Sequence, residues 1–419
     1  MDFQGTDFLK NELKKEQELL DIYKERKLNL DMSRGKPSTA QLDISSSLLD
    51  ELTSTSNFGK IDYRNYGIND GISEIKEVFC DLLGIKSEEI IVSGNASLTL
   101  MYDSLQRALQ FGVLGGIPWN KQGLIKWLCP VPGYDRHFAI TELFGIQMIN
   151  IPMKETGPDM DLIEALIHDE SVKGIWCVPK YSNPQGIIYS DDTIKRFAKL
   201  KPKAQDFRVF WDNAYNVHGL YGFDQMLDVF AEAKKEGNED LFYIFGSTSK
   251  ITFAGAGVAY LYGSQKNMDS IRKFIGIQTI GPDKLVQLSH ARYLKNKDNI
   301  LRLMDKHADF LRPKFEKVLE ILDDSFADMS IVKYSRPRGG YFISVDLREG
   351  TAKRTLKIAL EAGVRFTNAG ATFPYGNDPY DCNVRIAPSL PPINELITAM
   401  EIFCCAAKIA YYEKELGVY

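Results

Sequence analysis

The sequence predicts an α/β protein that has a large domain with a mainly parallel sheet and a smaller α+β domain. Its 419 residues are more than one small core needs, so two domains of unequal size are expected. In the middle of the chain, strand-like runs alternate with helical patterns, which is typical of βαβ units. Near the C-terminal end, strand-like runs alternate polar and apolar residues, which favours a half-exposed antiparallel sheet.

The N-terminal part begins with a predicted helix. Leucines occur at helical spacing among lysines and glutamates over residues 7–30, so we expect an amphipathic helix that packs across another surface. The segment Ser33–Pro37 interrupts this helix, because its glycine and proline cannot continue one. We interpret the segment, which contains Gly35, either as a connecting loop or as the lining of an active site.

The large domain is predicted to start with a helix over 72–83, a short strand over 90–92 and a helix over 98–109. Five further strand-like runs follow, with helical patterns between most of them: 125–129, 147–151, 174–178, 208–211 and 242–245. In open parallel sheets, ligands bind beyond the carboxyl ends of the strands. Polar motifs directly after these runs are therefore the candidates for a functional site.

A long helix over 299–322 is predicted to cross from the large domain into the smaller one. The antiparallel sheet of the smaller domain is predicted to consist of strands over 340–345, 364–366 and 383–386. We therefore divide the chain into an N-terminal arm or small-domain segment (1–45), a large domain (46–300) and a C-terminal small domain (301–419).

The composition limits the classes of function. Hydrophobic residues make up 44% and charged residues 26%, as in an ordinary globular protein. A net charge of −5, without a stripe dense in Lys and Arg, predicts no nucleic-acid partner. Acidic residues near the start and the lack of a span-length apolar stretch predict a cytoplasmic protein without a membrane partner. Six scattered cysteines are expected to be reduced, and five histidines without a cluster predict no metal site.

The predicted chemistry depends on Lys250. This residue ends the run Gly246–Lys250, directly after the apolar strand 242–245. A lysine that leaves a strand into a bend of small residues can be held beside a cofactor, and the hydroxyls of Ser247 and Ser249 can donate to a phosphate. We interpret Lys250 as the lysine that binds pyridoxal phosphate covalently. Taken alone, such a run is more typical of a solvated surface loop.

Polar residues follow other predicted strands. A carboxylate beside a pyridine nitrogen keeps that nitrogen protonated, and Asp212, at the end of strand 208–211, is placed for this role. Tyr215 and Asn183 are candidates to bind the phenolic oxygen of the same ring. The turn Ser93–Ser97 opens a helix, whose free N–H groups and dipole suit a phosphate. Taken singly, Asp212 and the turn Ser93–Ser97 are better interpreted as a helix cap or a turn, and Asn183 has the alternative of a plain turn.

Taken together, these motifs resemble those of the fold-type I, class I/II aminotransferases. The resemblance is strongest to the divergent aspartate aminotransferase branch related to the catalytic domain of MocR-type regulators. One such motif is a weak indication, whereas seven in family order are a strong one. They run from about Arg34 to Arg385 and include Tyr66–Gly71, Ser93–Ser97, Pro132–Tyr134, Asn183–Gly186, Asp212–Tyr215, Ser247–Lys250 and Asn383–Arg385.

The resemblance implies the PLP-dependent transferase fold of type I, with pyridoxal 5′-phosphate as cofactor and a homodimer as the active unit. Lys250 would bind the cofactor and move the proton between the substrate Cα and the cofactor. Asp212 would pair with the ring nitrogen, and His137 would support Asp212. Tyr134 would stack on the face of the ring.

The other implied contacts concern the phosphate, the ring oxygen and the substrate. The phosphate ligands would be Asn95, Ala96, Ser97, Ser247 and Ser249. Asn183 and Tyr215 would bind the phenolic oxygen. Arg385 would grip the substrate α-carboxylate through its planar fork, with Gly35 and Asn183 beside it. Tyr66 would reach the phosphate bound by the neighbouring subunit.

One position departs from the common class I pattern. In that pattern an arginine that binds the phosphate stands eight residues after the lysine, but here the position is Val258. Backbone N–H groups around Gly255–Gly257, or Lys and Thr side chains elsewhere, would have to compensate for the missing charge.

The resemblance implies transamination, with aspartate and 2-oxoglutarate as the expected substrates. A second cation would bind their distal carboxylate, and the candidates are Arg34, Lys36, Arg136, Lys284 and Arg338. Two alternatives stay open: a PLP-dependent lyase or decarboxylase with the same ring contacts, and a non-catalytic effector-binding domain of a regulator. Against the second, fewer than about forty residues precede the first motif, too few for a DNA-reading domain.

Overall fold

The computed structural model describes residues 3–327, 329 and 331–419. The helices are α1 (Phe3–Glu25), α2 (Thr39–Asp43), α3 (Ser73–Leu83), α4 (Ser97–Phe111), α5 (Asp135–Leu143), α6 (Met160–Leu166), α7 (Asp191–Ala198), α8 (Val229–Glu236), α9 (Gln265–Gln278), α10 (Lys284–Leu294), α11 (Lys297–Phe326), α12 (Ala352–Glu361) and α13 (Ile393–Glu415). Within the described residues, none of them has the length and hydropathy that a bilayer crossing needs.

The strands are β1 (Leu30–Asp31), β2 (Ile90–Val92), β3 (Lys126–Val131), β4 (Gln147–Lys154), β5 (Gly157–Pro158), β6 (Val172–Cys177), β7 (Arg208–Asp212), β8 (Phe242–Ser247), β9 (Ala259–Tyr262), β10 (Lys333–Tyr334), β11 (Ile343–Asp346), β12 (Val364–Arg365) and β13 (Asn383–Ile386). The largest sheet has the order β2-β9-β8-β7-β6-β3-β4-β5. Pairing is parallel from β8 through β7, β6 and β3 to β4. β9, β2 and β5 are antiparallel to the strands that they adjoin. The predicted α/β class with a mainly parallel sheet is therefore confirmed.

The two faces of this sheet are covered by different cores. Successive side chains of a strand point to opposite faces, so Trp211 packs against Phe197 on one face, with 5.4 Å between ring centroids. Phe210 packs against Trp176 on the other face, at 5.0 Å. Asp212 follows this alternation and shares the face of Phe210. Every residue of β7 is buried, as expected for a strand covered on both sides.

The small antiparallel sheet has the order β10-β11-β13, but the predicted membership of residues 364–366 is wrong. β12 instead pairs in parallel with β1. The backbone N–H groups of Leu30 and Met32 donate to carbonyls on the β12 side, at 2.9 and 2.7 Å. The first helix also ends earlier than predicted, at Glu25, because Lys27 has a φ of 48°, which an α-helix cannot contain.

Helix α11 joins the two main hydrophobic cores. Its first half contributes Ile300 and Met304 to the core beside the large sheet, and its second half contributes Phe315 and Leu322 to the core around the small sheet. Leu20 of α1 packs in this second core as well. The division of the chain at residues 45 and 300 stays a proposal, which this distribution of buried side chains supports.

Candidate active site

Three of the predicted site residues lie beyond the carboxyl ends of adjacent strands. Asp212 is the last residue of β7, Lys250 follows β8, and Asn183 follows β6. Because β6, β7 and β8 are parallel neighbours, their carboxyl ends meet at one edge of the sheet. The fold therefore collects at that edge an amide, a carboxylate and an amine that are far apart in the sequence.

The carboxylate of Asp212 is held in a fixed orientation. Its Oδ2 shares a 3.0 Å hydrogen bond with Nε2 of His137, and its Oδ1 accepts the backbone N–H of Ala214 at 3.1 Å. The imidazole of His137 stacks on Trp176 at 4.4 Å, and the Tyr134 ring meets its edge at 4.9 Å. Asp212 and His137 are buried, so a cation placed beside this carboxylate is screened little by water.

Aromatic rings surround the amine of Lys250. Its Nζ lies 4.9 Å from the centre of the Tyr215 ring and 5.9 Å from that of Tyr341. Burial lowers the pKa of Lys250, although the charge of Asp212 acts in the opposite direction. His218 meets the edge of the Tyr215 ring, and burial together with the nearby Lys250 charge lowers the pKa of His218 to about 3. The amine therefore has a greater tendency to be neutral, and thus nucleophilic, than that of an exposed lysine.

The predicted phosphate ligands meet beside the start of α4. Ser247 Oγ donates to Ser249 Oγ at 3.0 Å, and Ser249 Oγ donates to the backbone carbonyl of Asn95 at 3.2 Å. Ala96 is the N-cap of α4 and has no side chain to bond the free N–H groups of the first turn. Such an N-terminus presents donors and a positive partial charge to an anion.

The side chain of Val258 belongs to a hydrophobic core. Its side chain is 1% exposed, and its backbone N–H donates to Thr248 Oγ1 at 2.9 Å. Gly257, beside it, comes close to Asn95: a Cβ at Gly257 would approach the Asn95 carbonyl to 3.4 Å and Thr248 Oγ1 to 3.1 Å. The glycine-rich run thus lies next to the predicted phosphate ligands, where a larger side chain would crowd them.

Arg385 presents one edge of its guanidinium without a partner. Its Nη1 donates to Asp135 Oδ1 at 2.8 Å and to Asn183 Oδ1 at 3.3 Å. Its Nε is buried and has no acceptor among the described residues. Since both acceptors use Nη1, the edge formed by Nε and Nη2 stays available for a planar anion.

A layered contact fixes the plane of this guanidinium. The Arg385 guanidinium carbon lies 4.8 Å from the centre of the Phe342 ring. Gly35 packs against the tip of that ring, because a Cβ at Gly35 would collide with Phe342 Cζ. Any larger residue at position 35 would therefore displace the ring that supports Arg385. That the Ser33–Pro37 segment lines the active site stays a prediction, which the contact between Gly35 and Phe342 supports.

Comparisons with known proteins identify the family of this chain. A sequence model of the family described as aspartate amino-transferase matches residues 5–418. An aspartate aminotransferase of Corynebacterium glutamicum is 46% identical over 386 residues, which cover 91% of this chain and 89% of that protein. The chain belongs to the aspartate aminotransferase family. This aminotransferase is therefore an enzyme, and its reaction class is transamination.

Solved structures support the same assignment of the aminotransferase. An aspartate transaminase from Corynebacterium glutamicum superposes with a TM-score of 0.95 at 43% identity, covering 99% of this chain and 98% of that chain. An α-aminoadipate aminotransferase from Thermus thermophilus, complexed with N-(5′-phosphopyridoxyl)-L-leucine, has a TM-score of 0.73 at 20% identity, covering 94% and 95%. The fold-type I architecture of the transaminase is thereby confirmed.

Two predicted features of the transaminase are not gathered at the strand ends. Tyr66 is 81% exposed on the single chain. Arg338, a candidate for the distal carboxylate, is ion-paired with Asp224 at 3.0 Å. Lys284 is buried at the start of α10. A distal-carboxylate ligand is therefore not identified by the geometry of one chain.

Sequence reasoning missed several side chains around the transaminase site. Asp135 directly follows the matched motif Pro132–Tyr134, so a carboxylate next to a motif was a signal that could have found it. Tyr341 and Phe342 belong to a run that was interpreted only as a strand. Trp176, under His137, gave no such signal, because a tryptophan in an apolar strand is ordinarily a core residue.

Proposed function

We propose that this chain is a pyridoxal phosphate-dependent transaminase that transfers the amino group of aspartate to 2-oxoglutarate. The observation that carries the proposal is the convergence of Lys250, Asp212 and Asn183 at one sheet edge, with the free guanidinium edge of Arg385 next to Asn183. The names of the relatives support aspartate as the donor. The cytoplasmic location stays a prediction.

The residues present match the chemical groups of pyridoxal phosphate. Asp212 offers a carboxylate for the ring nitrogen, Lys250 offers an amine for the aldehyde, and Tyr134 offers an aromatic face for the ring. Asn183 and Tyr215 offer polar groups for the ring oxygen, and Tyr215 is buried, which raises its pKa well above the usual value and keeps it a donor. The phosphate would lie at the α4 start, beside the hydroxyls and N–H groups of Asn95, Ala96, Ser97, Ser247 and Ser249.

The bound cofactor supplies an electron sink for the pair released at the substrate Cα. Lys250 removes the proton from the substrate Cα and later returns it to complete the transfer of the amino group. The amine must be neutral when it removes this proton. Its lowered pKa suits that step. Asp212 stabilises the protonated ring nitrogen through opposite charge, and His137 holds the carboxylate in place by its 3.0 Å hydrogen bond.

Arg385 binds the substrate α-carboxylate in this proposal. The Nε–Nη2 edge of its guanidinium matches a carboxylate in a bidentate arrangement, and its Nη1 is already occupied. Asp135 and Asn183 therefore act on Arg385 as positioning residues, and Gly35 allows the Phe342 ring to support the plane. The distal carboxylate requires a second cation, for which Arg34, Lys36, Arg136 and Lys284 stay candidates.

The homodimer belongs to the proposal as well. Tyr66 is 81% exposed, which fits a side chain that reaches the active site of a neighbouring subunit. Gly67, next to it, is anchored by its N–H to the carbonyl of Ile280 at 2.8 Å. An exposed aromatic residue on an anchored segment is a typical interface element.

Replacing Asp135 with asparagine is expected to raise the KM for aspartate about tenfold, with little change in kcat. The substitution keeps the shape but removes the charge that holds Nη1 of Arg385, and a hydrogen bond to a charged group contributes about 1.5–3 kcal/mol. Steady-state kinetics measure the split between KM and kcat. Glu142→Gln, on the exposed side of the same helix, is the matched control, and an unchanged KM in Asp135→Asn would show that the pair does not position Arg385.

The proposed function is tested by the products. Purified enzyme with aspartate and 2-oxoglutarate is expected to form oxaloacetate and glutamate in equal amounts, and with aspartate alone no more than one equivalent of oxaloacetate per site. Continuous release of ammonia or carbon dioxide would instead identify a lyase or decarboxylase. Binding of both compounds without any product would identify an effector-binding domain.

A further inference from the structure

A second cavity, of about 280 Å³, lies on the other side of the large sheet from Asp212. Trp211 lines it, and Trp211 and Asp212 are successive residues of β7, whose side chains point to opposite faces. The transaminase mechanism uses none of the side chains that line this cavity.

A buried lysine opens into the cavity without an ionic partner. Lys180 is 2% exposed, and it makes no hydrogen bond or ion pair with the residues that the structure describes. Its Nζ lies 3.9 Å from the centre of the Phe223 ring. The nearby carboxylate of Asp224 is already bound by Arg338 and by the Tyr181 hydroxyl, at 3.0 and 2.9 Å.

The positive charge of Lys180 favours the binding of an anion in the cavity. Burial lowers the pKa of Lys180 to about 8, so the amine still carries its proton at neutral pH. A buried ammonium without a counter-charge is costly, and an anion bound beside it offsets that cost. A carboxylate is the simplest group that meets this requirement.

The cavity also contains an unpartnered acceptor. Oδ1 of Asn213 is buried and has no hydrogen-bond donor among the described residues. An amide oxygen accepts and cannot donate, so its partner must bring an N–H or O–H group. A ligand that carries both an anionic group and an N–H donor satisfies Lys180 and Asn213 together.

The remaining wall is mixed: Asn216, Gln225, Asp228 and Lys297 line part of it, and apolar side chains line another part. Leu82 and Leu83 from the end of α3, and Met226 and Leu227 from the loop before α8, line the cavity. We propose that the cavity binds the zwitterion of an α-amino acid with an apolar side chain. Its carboxylate pairs with Lys180, its ammonium donates to Asn213, and its side chain packs against the four apolar residues. This site is separate from the transamination site, and neither proposal requires the other.

L-Isoleucine is the probe for this site. Calorimetric titration into the holoenzyme, with excess succinate present to occupy the transamination site with a dicarboxylate that lacks an amino group, is expected to show one site per chain. Lys180→Met is expected to weaken binding at least about tenfold, because it removes a charge-assisted hydrogen bond while it keeps the side-chain volume. Lys235→Met, which removes an exposed lysine of α8, is the matched control and is expected to bind as the unaltered enzyme does.

Two analogues separate the contributions of the two polar groups. 3-Methylpentanoate lacks the ammonium and 2-methylbutylamine lacks the carboxylate, so each is expected to bind at least about tenfold more weakly than L-isoleucine. Equal binding of 3-methylpentanoate would contradict the role of Asn213. Met226→Trp, which fills the cavity from its wall, is expected to abolish binding independently of Lys180.

The proposal is overturned if L-isoleucine gives no saturable heat with the unaltered holoenzyme, because a water-filled cavity would give that result. It is also overturned if the Lys180→Met and Met226→Trp variants bind as tightly as the control, or if succinate competes with the probe. Product formation from aspartate in the same preparations reports separately on the transamination site.

Discussion

Lys250→Ala is expected to lower the rate of transamination by roughly 10⁴-fold or more, and to remove the visible absorbance of the purified enzyme. In the proposed mechanism this amine binds the cofactor aldehyde and moves the Cα proton, and general acid–base catalysis alone is worth about 10²–10⁴-fold. The shorter alanine side chain also leaves empty the space of the Lys250 amine, which lies 4.9 Å from the centre of the Tyr215 ring. Absorbance spectra and product assays measure both effects.

Two further variants make the Lys250 result specific. Lys250→Arg keeps the positive charge but cannot bind an aldehyde in the same way, so it is expected to be as inactive as the alanine variant. Lys306→Ala, on the exposed side of α11, is expected to keep both colour and activity. If Lys250→Ala retained the absorbance band unchanged, another lysine would hold the cofactor.

The same residue predicts a pH dependence in the cofactor-free protein. Burial lowers the pKa of Lys250, and only the neutral amine attacks an aldehyde. The rate of pyridoxal phosphate capture is therefore expected to fall as the pH decreases through that pKa, with a midpoint below that of an exposed lysine. Stopped-flow absorbance across a pH series measures this midpoint.

Arg385→Lys is expected to lower kcat/KM for aspartate about 100-fold, even though the charge is retained. Lysine is a point charge and cannot reproduce the Nε–Nη2 edge, and it loses the stacking on Phe342 at 4.8 Å. A 100-fold loss corresponds to about 3 kcal/mol. This is the upper end of what one hydrogen bond to a charged group contributes. Kinetics with aspartate and the visible spectrum of the variant measure the effect.

The spectrum distinguishes substrate binding from cofactor binding in Arg385→Lys. Its visible band is expected to match that of the unaltered enzyme, because the proposal assigns the cofactor contacts to Lys250 and Asp212. A variant with normal kcat/KM would contradict the assignment of Arg385. A variant that lost its colour would place the guanidinium in the cofactor site instead.

Much of the candidate site could be predicted because its residues follow strands. A short apolar run ends where polar residues begin, and this boundary is visible in the sequence at Asp212 and before Lys250. Parallel pairing then brings those boundaries to one edge without any detail of side-chain packing. The predicted phosphate ligands were identified in the same way, from a turn of small residues that opens α4.

The errors have a common cause in contacts distant along the chain. β1 has only two residues, too few for periodicity to indicate a strand. The strand at β12 was predicted but assigned to the wrong sheet, because its partner β1 is distant along the chain. β9 was not predicted, because four residues after a glycine-rich run carry too little pattern. Short strands of this kind depend on partners that sequence reasoning does not identify.

By itself, the sequence determined the class of fold, the order of the motifs and the kinds of chemical group that follow each strand. Only the tertiary structure decided that Asp135 holds Arg385, a pair separated by 250 positions, and that Nε of Arg385 has no acceptor within the described part of the chain. Local pattern depends on neighbours along the chain, whereas hydrogen-bond satisfaction depends on neighbours in space. The same distinction explains Lys180, whose place in the sequence gives no signal and whose burial is visible only in three dimensions.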